Sequence, residues 1–245
     1  MIRLVNADFK TFVPTLDDNS LDAVITDLPY CISKKNNFST MKNRPFRQGV
    51  DFGEWDKDFD TEDLSILVPK LKKGGSIVVF HSFEQYNDLI DAFDGLELKD
   101  RIIWRKANSM PRNRDRRYIY NIELASWYVK PGDNWTFNRQ SSTYDECVLD
   151  YPTESNSERV HPTQKNTDLM IELVKRHTNK GDLVLDCFMG SGSTGVACVA
   201  TDRSFIGVER DKEYFDKAAK RIRNETPMFL KAGIKIERLM NEEEE

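Results

Sequence analysis

Short runs of apolar residues alternate with polar segments along the chain of 245 residues, and seven of these runs have the length and composition of β-strands. The predicted strands cover residues 2–5, 21–25, 76–80, 101–104, 122–129, 183–185 and 204–208. Helical periodicity lies between several of them. The predicted helices cover residues 61–71, 83–93, 166–177, 193–201 and 212–222.

This alternation of strands and helices predicts an α/β fold with a doubly wound, mostly parallel seven-stranded sheet. In the last predicted helix, Phe215, Ala218, Ala219 and Ile222 form the apolar stripe of a helix that packs on such a sheet. No internal repeat or linker rich in Gly, Ser or Pro divides the chain, and its length suits a single domain. The polar stretch 133–160 lacks clear periodicity and is predicted to be a long loop region.

The second predicted strand leads into a candidate catalytic tetrapeptide, formed by Asp27, Leu28, Pro29 and Tyr30. It combines an acceptor carboxylate, a main-chain carbonyl next to a rigid proline, and an aromatic face. A flipped nucleobase with an exocyclic amine needs such groups, because its N–H bonds require acceptors and its ring requires a stacking surface. The alternative interpretation is a turn that begins at an Asp and has an aromatic residue packed behind it.

A second motif runs from Asp186 to Gly195 between a predicted strand and a predicted helix. Glycine tolerates positive φ and has no side chain, so the backbone of such a turn can approach a bound cofactor closely. Glu209 stands 19 residues after Gly190 and directly follows another predicted strand. We expect Glu209 to accept hydrogen bonds from two ribose hydroxyls, so the motif implies a cofactor that contains a nucleoside.

Gly190, Gly192 and Gly195 also satisfy the dinucleotide-binding pattern, which makes an NAD-binding Rossmann enzyme an alternative. The charge of Asp186 favours a different cofactor. A pyrophosphate would bring negative charge towards this carboxylate, whereas S-adenosylmethionine carries an ammonium and a sulfonium and has no phosphate. A methyl donor therefore suits the site better than a dinucleotide.

A third motif, from His161 to Lys165, precedes the predicted helix 166–177 and by itself is typical of a proline-containing lead-in to a helix. In this order, the three motifs resemble the circularly permuted (beta-class) amino-methyltransferases of DNA, in which the catalytic tetrapeptide precedes the cofactor motif. That family usually has Asp-Pro-Pro-Tyr and His-Pro-Thr-Gln-Lys-Pro, and this chain departs from it at Leu28 and Asn166. Leu28 would contribute only its main-chain carbonyl, and Asn166 suits the N-cap of a helix.

The resemblance spans nearly the whole chain and implies a permuted, Rossmann-like methyltransferase fold of seven strands. Strands 101–104 and 122–129 would form the edge that carries an antiparallel strand. The implied organisation is a catalytic half at 1–107, a target-recognition insertion at 108–160, a cofactor-binding half at 161–225 and a tail at 226–245. The residues implied to bind S-adenosylmethionine are Asp8, His161, Thr163, Asp186, Phe188, Gly190, Gly192, Thr194 and Glu209. For Asp8, which would accept from the adenine amine of the cofactor, a turn-forming acid after a strand is the alternative.

The resemblance also implies direct methyl transfer to the exocyclic amine of a base in double-stranded DNA, without a metal or a covalent intermediate. Asp27 and the Leu28 carbonyl would accept from the amine, Pro29 would fix the turn, and Tyr30 would stack on the base. Adenine N6 is the preferred target, because an opening Asp resembles adenine enzymes more than the Ser common in cytosine-N4 enzymes. Cytosine N4 stays open as an alternative. The intact tetrapeptide argues against a catalytically silent DNA-binding module.

The formal net charge is −5, but four acids form the terminal run 242–245, and without them the balance is −1. Segment 34–47 has five basic residues and no acid, and segment 99–117 has eight basic residues against two acids. Either segment alone is typical of a solvated face, but both flank the proposed active site in the sequence, which favours phosphate contacts. The predicted DNA-binding residues are Lys34, Lys35, Arg44, Arg47, Lys106, Arg112, Arg114, Arg116 and Arg117.

The four cysteines have no C-x-x-C spacing and no paired His, so neither a zinc site nor a disulfide framework is expected. No signal peptide and no apolar run of about 18 residues is recognisable, which predicts a cytoplasmic protein that is neither secreted nor embedded in a membrane. The family resemblance is also compatible with a homodimer, for which the sequence offers no recognisable interface.

Overall fold

The computed structural model of the protein describes residues 1–30, 59–109, 118–155 and 164–239. Within these ranges, nine strands form one sheet in the order β6-β4-β5-β3-β2-β7-β8-β1-β9. The strands are β1 (Ile2–Asn6), β2 (Leu21–Asp27), β3 (Leu71–His81), β4 (Glu97–Lys106), β5 (Ile122–Val129), β6 (Val148–Tyr151), β7 (Leu183–Asp186), β8 (Ser204–Glu209) and β9 (Ile234–Arg238).

All neighbouring strands are parallel except β5, which runs antiparallel to both β3 and β4. The predicted α/β class with a mostly parallel sheet is therefore confirmed. The N-terminal strand β1 lies between β8 and β9, and its last residue, Asn6, is in register with Glu209 of β8. The start of the chain thus reaches the same part of the sheet as the glycine-rich motif.

The predicted number of seven strands is wrong, because the two outermost strands of the described sheet were not predicted. In β6 only Leu149 is buried, and β9 has no buried residue. A short edge strand with one paired side does not need the apolar pattern of a central strand, so these segments resemble loops in sequence. The antiparallel strand was expected at the edge of the sheet, and this position is also wrong. Strand β5 is an inner strand, because β4 and β6 lie between it and the edge.

Five α-helices accompany the sheet within the described ranges. They are α1 (Phe9–Phe12), α2 (Tyr86–Ala92), α3 (Thr167–His177), α4 (Ser193–Ala200) and α5 (Lys212–Glu225). Leu173, Val196 and Phe215 of α3, α4 and α5 belong to one core cluster, whereas Phe12 and Leu89 of α1 and α2 belong to a second. Successive residues of β2 alternate between the two clusters, so both faces of the sheet are covered, as in a doubly wound fold.

Two helix predictions were wrong at their ends. The predicted helix 61–71 is a 3-10 helix at Thr61–Leu67, and Leu71 already begins β3. Pro69 has no N–H to continue a helix, which explains the early end. The predicted helix 83–93 begins only at Tyr86. In contrast, the predicted N-cap of α3 is confirmed, because Asn166 Oδ1 accepts a hydrogen bond from Leu169 N over 3.0 Å. None of the helices within the described ranges has both the length and the apolar character of a membrane span.

Candidate active site

Four neighbouring parallel strands carry an acidic residue at or just beyond their carboxyl ends. Strand β2 ends at Asp27, β7 at Asp186 and β8 at Glu209, and Asp8 follows β1 by two residues. Parallel neighbours end at the same edge of a sheet, and all four residues line one cavity there. The cavity is also lined by further residues predicted from the sequence, namely Leu28, Pro29, Tyr30, Phe188, Gly190 and Thr194. Gly192 is the N-cap of α4, whereas His161 and Thr163 lie outside the described residues.

The glycine-rich turn between β7 and α4 has a backbone that suits glycine. Gly190 has a φ of 50° and Gly192 a φ of 76°, which is the left-handed region that other residues rarely adopt. Ser191 lies within this turn, Ser193 and Thr194 begin α4, and all three line the cavity. The first turn of α4 therefore faces the space in which a cofactor would lie.

Gly195 allows α4 to approach α5 and β8 closely. A Cβ atom at this position would lie 2.5 Å from Ile222 Cδ1 and 2.7 Å from Phe205 Cε1. We expect Gly195→Ala to lower the free energy of unfolding by about 1–3 kcal/mol because of overpacking, measured by urea denaturation. Shortening Ile222 to Val in the same protein should restore part of this loss. Gly233→Ala is the matched control, since a Cβ there meets no atom within 4 Å. An unchanged midpoint for Gly195→Ala would contradict the close approach.

Asp186 is buried at the end of β7, and both of its carboxylate oxygens accept hydrogen bonds. Thr26 Oγ1 donates to Oδ1 over 2.7 Å, and Thr194 Oγ1 donates to Oδ2 over 2.7 Å. The Phe188 N–H also donates to Oδ1 over 3.2 Å. Burial raises the pKa of Asp186 to about 6, although these donors oppose the rise. Asp186 thus ties the start of the glycine-rich turn to β2.

Glu209 holds the other side of the same turn. The Gly190 N–H donates to Oε2 over 2.9 Å, and the Asp211 N–H donates to Oε1 over 2.8 Å. Burial raises the pKa of Glu209 to about 7, and the negative charges of Asp211 and Asp186 add to the rise. Each oxygen keeps a further lone pair, so the carboxylate can also accept from hydroxyls of a ligand in the cavity.

Asp8 is the N-cap of α1. Its Oδ1 accepts from Lys10 N over 2.8 Å, and its Oδ2 lies 3.6 Å from Arg210 Nη1. This local role agrees with the interpretation of Asp8 as a turn-forming acid after a strand. Asp8 also lines the cavity, and its role towards a cofactor stays a prediction.

One wall of the cavity is aromatic. The ring of Phe188 packs against Phe9 with 4.8 Å between centroids and against Phe59 with 5.3 Å, the latter edge to face. All three rings line the cavity. Such a wall offers apolar surface and ring edges to a flat heterocycle.

The tetrapeptide after β2 is fixed by hydrogen bonds. Gln85 Nε2 donates to the Pro29 carbonyl over 2.8 Å, and Tyr30 Oη donates to Asp27 Oδ1 over 2.8 Å. Burial raises the pKa of Tyr30 well above its ordinary value, with a contribution from the charge of Asp27, so the phenol remains a donor. Leu28 has a buried side chain, and no donor among the described residues bonds to its carbonyl oxygen. The carbonyl is thus available to a ligand.

Two residues outside the predicted set contact Asp27 or its neighbours. Lys165 Nζ donates to Asp27 Oδ2 and lies 2.9 Å from Glu123 Oε2. The other carboxylate oxygen of Glu123, Oε1, lies 2.5 Å from Lys106 Nζ, and Glu123 itself belongs to β5. Burial alone would raise the pKa of Glu123, but Lys165 and Lys106 hold it below its ordinary value. Both unpredicted side chains are therefore charged members of the site.

The sequence contains only weak signals for these two residues. Lys165 belongs to the third motif, which was assigned to the cofactor through His161 and Thr163. Glu123 is a single acid near the start of a predicted apolar strand, and an unpaired charge is costly in a buried strand. An acid within an apolar strand indicates a buried partner of opposite charge, and this is the signal in the sequence that points to Glu123.

Most of the predicted DNA-binding residues lie outside the described residues. These are Lys34, Lys35, Arg44, Arg47, Arg112, Arg114, Arg116 and Arg117. Lys106 is described, ends β4 and pairs with Glu123. Its contact with DNA stays a prediction.

The fold and the cavity are those expected of a class of protein: α/β enzymes with a site for a nucleoside-containing cofactor next to hydrogen-bond acceptors for a second substrate. Comparison with known proteins identifies the family. Residues 21–220 match the family described as DNA methylase (N6_N4_Mtase), so the protein belongs to that family. The prediction of a DNA methyltransferase is thus confirmed. The alternative of an NAD-binding enzyme has no support from this match.

Individual relatives agree with the family. The chain is 29% identical over 239 residues to the type II methyltransferase M2.MboI of Moraxella bovis, covering 89% of this chain and 86% of the relative. The solved complex of M1.HpyAVI with SAM has a TM-score of 0.70 at 34% identity, covering 91% of this chain and 99% of that chain. The cytosine-N4-specific PvuII DNA methyltransferase also has a TM-score of 0.70, at 18% identity, covering 97% and 95%. At that identity the likeness concerns the fold alone.

Proposed function

We propose that the protein transfers the methyl group of S-adenosylmethionine to the exocyclic N6 of an adenine that is flipped out of duplex DNA. The observation that carries the proposal is the meeting of two half-sites in one cavity. Asp186, Glu209 and the glycine-rich turn supply a cofactor site, and Asp27 with Leu28 supplies acceptors for an amine. The two sites share the space in which a methyl group would pass from one ligand to the other.

The charge of the cavity supports this methyl donor. The carboxylate of Asp27 raises the pKa of Asp186, and that of Asp186 raises the pKa of Glu209, so Asp186 is repelled electrostatically by both of the other acids. A ligand with an ammonium and a sulfonium relieves this repulsion, whereas a pyrophosphate would increase it. M1.HpyAVI, which has been solved with SAM bound, is 34% identical to this chain. We assign the ribose hydroxyls to Glu209 and the adenine of the cofactor to the aromatic wall and Asp8.

The chemistry follows from the acceptors next to this donor. An aromatic amine is a poor nucleophile because its lone pair is conjugated into the ring. Hydrogen bonds from its two N–H groups to the Asp27 carboxylate and the Leu28 carbonyl favour a pyramidal nitrogen and turn its lone pair towards the methyl group. The acceptors also stabilise the positive charge that develops on the nitrogen. The remaining contribution is alignment of the two ligands in one cavity.

Pro29 and Tyr30 would position the target base. The Pro29 carbonyl is anchored by Gln85, which fixes the turn that presents the Leu28 carbonyl. Lys165 Nζ lies over the Tyr30 ring, 5.5 Å from its centroid. We expect the target base to stack on the opposite face of this ring.

The wider assignments belong to the same proposal. Segment 108–160 would recognise the target sequence, and the basic segments 34–47 and 99–117 would contact phosphates. A homodimer is compatible with this arrangement, and sedimentation with and without DNA would measure its presence. Adenine is preferred to cytosine because of the Asp that opens the tetrapeptide.

The decisive experiment is incubation of the protein with labelled S-adenosylmethionine and duplex DNA of mixed sequence, followed by nucleoside analysis. N6-methyladenine is the expected product. N4-methylcytosine would replace the adenine assignment by the cytosine alternative. DNA binding without methylated product would favour a catalytically silent binding module.

Glu209→Gln should weaken binding of S-adenosylmethionine by roughly 1–3 kcal/mol, because a charged acceptor of ribose hydroxyls becomes a neutral amide. Since the pKa of Glu209 is raised to about 7, the ionised acceptor is lost as the pH falls through that value. Affinity of the wild-type protein should therefore fall between about pH 8 and pH 6, and Glu209→Gln should be much less sensitive. Calorimetry on the protein without DNA measures both effects.

Glu213→Gln is the matched control, because Glu213 is an exposed residue of α5 and pairs with Lys217 at 2.5 Å. It should bind S-adenosylmethionine as the wild type does at every pH. Equal affinities of wild type and Glu209→Gln would remove Glu209 from the cofactor site. Tight binding of NAD with none of S-adenosylmethionine would overturn the cofactor assignment itself.

A further inference from the structure

A buried network of charges lies next to the tetrapeptide. Lys165 contacts Asp27 and Glu123, and Glu123 contacts Lys106. Tyr30 Oη lies 2.8 Å from Asp27 Oδ1 and 3.4 Å from Glu123 Oε2. Two carboxylates and two ammonium groups balance each other in this network. Buried charges are tolerated when they are paired in this way. Loss of one partner leaves the other as an uncompensated buried charge, which destabilises the protein.

Lys165 is held at the centre of the network from several sides. Its side chain is only 5% exposed, and its ammonium has three donors. Asp27 and Glu123 accept from it, and the Tyr30 hydroxyl lies 3.4 Å away. The ammonium also lies 5.1 Å from the centroid of the Phe80 ring, within the range of a cation–π contact. These contacts leave Lys165 few alternative positions.

The two partners of Asp27 use different oxygens. Tyr30 donates to Oδ1 and Lys165 donates to Oδ2. An ionised carboxylate has about four lone-pair sites, so one site on each oxygen remains for a donor in the cavity. The contacts with Tyr30 and Lys165 therefore fix the plane of the carboxylate without occupying all of its capacity to accept.

We infer that Lys165 and Glu123 are positioning residues for Asp27. Glu123 holds the ammonium of Lys165, and Lys165 holds the Asp27 carboxylate in the orientation in which its open lone pairs face the amine of the target base. The inference rests on the proposed role of Asp27 as the acceptor of that amine. In this arrangement each of the two residues acts on the reaction through Asp27.

The network also determines the charge of Asp27. Burial raises the pKa of Asp27, Lys165 lowers it, and Glu123 raises it again. Asp186, across the cavity, is a further negative group close enough to interact with Asp27 electrostatically. A neutral acid would have lost its full acceptor capacity, so the positive charge of Lys165 keeps Asp27 in the form that the reaction needs.

The test is a pH profile of the single-turnover methylation rate in the full-length protein with duplex DNA. Lys165→Met should lower the rate about a hundredfold and move its acidic limb upwards by about one pH unit or more, since the opposite charge is lost. Glu123→Gln should lower the rate about tenfold, because Lys165 keeps only one anion. Its acidic limb should move downwards, because a charge that raises the pKa of Asp27 is removed. Binding of S-adenosylmethionine should change less than about twofold in both variants.

The matched control is Lys72→Met. Lys72 pairs with Asp22 at 2.6 Å, at the other end of the strand that carries Asp27. Its rate per folded molecule and its pH profile should equal those of the wild type. Lys165→Arg tests folding separately, since it keeps the charge, and it should recover the wild-type acidic limb but only part of the rate.

Two outcomes would overturn the inference. One is a Lys165→Met profile that superimposes on that of the wild type after scaling, because a purely structural residue changes only the folded fraction. The other is a Glu123→Gln rate equal to that of the wild type. Failure of the proposed function is distinguishable from both, since the wild-type protein would then produce no methylated adenine at all.

Discussion

Asp27→Ala should lower kcat by about 10²–10⁴-fold while the affinity for S-adenosylmethionine changes little. In the proposed mechanism the carboxylate accepts from the target amine, and this interaction strengthens as charge develops on the nitrogen, so its loss raises the barrier of the chemical step. Binding of the cofactor is assigned in the same proposal to Asp186, Glu209 and the glycine-rich turn. Single-turnover rates and calorimetry separate the two effects.

Asp22 provides a closely matched control for Asp27. Both residues belong to β2, their side chains are 22% and 23% exposed, and each pairs with a lysine. Asp22 lies at the opposite end of the strand from the cavity and accepts from the Leu183 N–H over 2.8 Å. Asp22→Ala should therefore reduce stability and leave kcat per folded molecule unchanged. An Asp27→Ala protein with more than about a tenth of wild-type turnover would exclude Asp27 from a catalytic role.

Neutralising Arg112, Arg114, Arg116 and Arg117 together should flatten the salt dependence of DNA binding. Each lost phosphate contact reduces the slope of log K against log salt by about 0.9, so four contacts amount to about 3.6. Specific and random duplexes should be weakened alike, because phosphates carry no sequence information. If one of the four reads a base edge, its single substitution should instead relax the sequence preference at one position by about 1–3 kcal/mol.

A charge-matched control distinguishes local phosphate contacts of the four arginines from the effect of the protein's overall charge on DNA binding. Lys175, Lys180, Lys212 and Lys235 are exposed residues of the described part of the chain, outside the two basic segments. Their joint neutralisation removes the same charge and should leave the slope nearly as it is in the wild type. Equal slopes for the wild type and the four-arginine variant would mean that this run is only a solvated face.

The parts of the site that the sequence predicts are those that are contiguous in the chain. The tetrapeptide and the glycine-rich turn each follow a strand with a clear apolar pattern, and each residue type has a local physical reason. The convergence of Asp27, Asp186 and Glu209 also follows from a general property of parallel sheets. The apolar pattern of the strands and the shared edge of parallel strands are therefore sufficient to predict the positions of these residues.

The missing parts depend on long-range pairing. Glu123 and Lys165 are 42 residues apart in sequence, and they meet because β5 is placed next to β3. No local sequence pattern predicts that β5 lies next to β3. The edge strands β6 and β9 are not predicted for a related reason. They form by pairing with the distant strands β4 and β1, and their sequences lack the apolar pattern of a central strand.

The reversed direction of β5 has a consequence for how specificity can change in this family. Since β4 leaves the sheet and β5 enters it at the edge that carries the cavity, the connection at residues 107–121 both begins and ends there. Its ends are fixed by two paired strands. Under the proposed role of segment 108–160 in target recognition, exchange of this connection between relatives would change the target sequence and leave the proposed methyl-transfer residues in place.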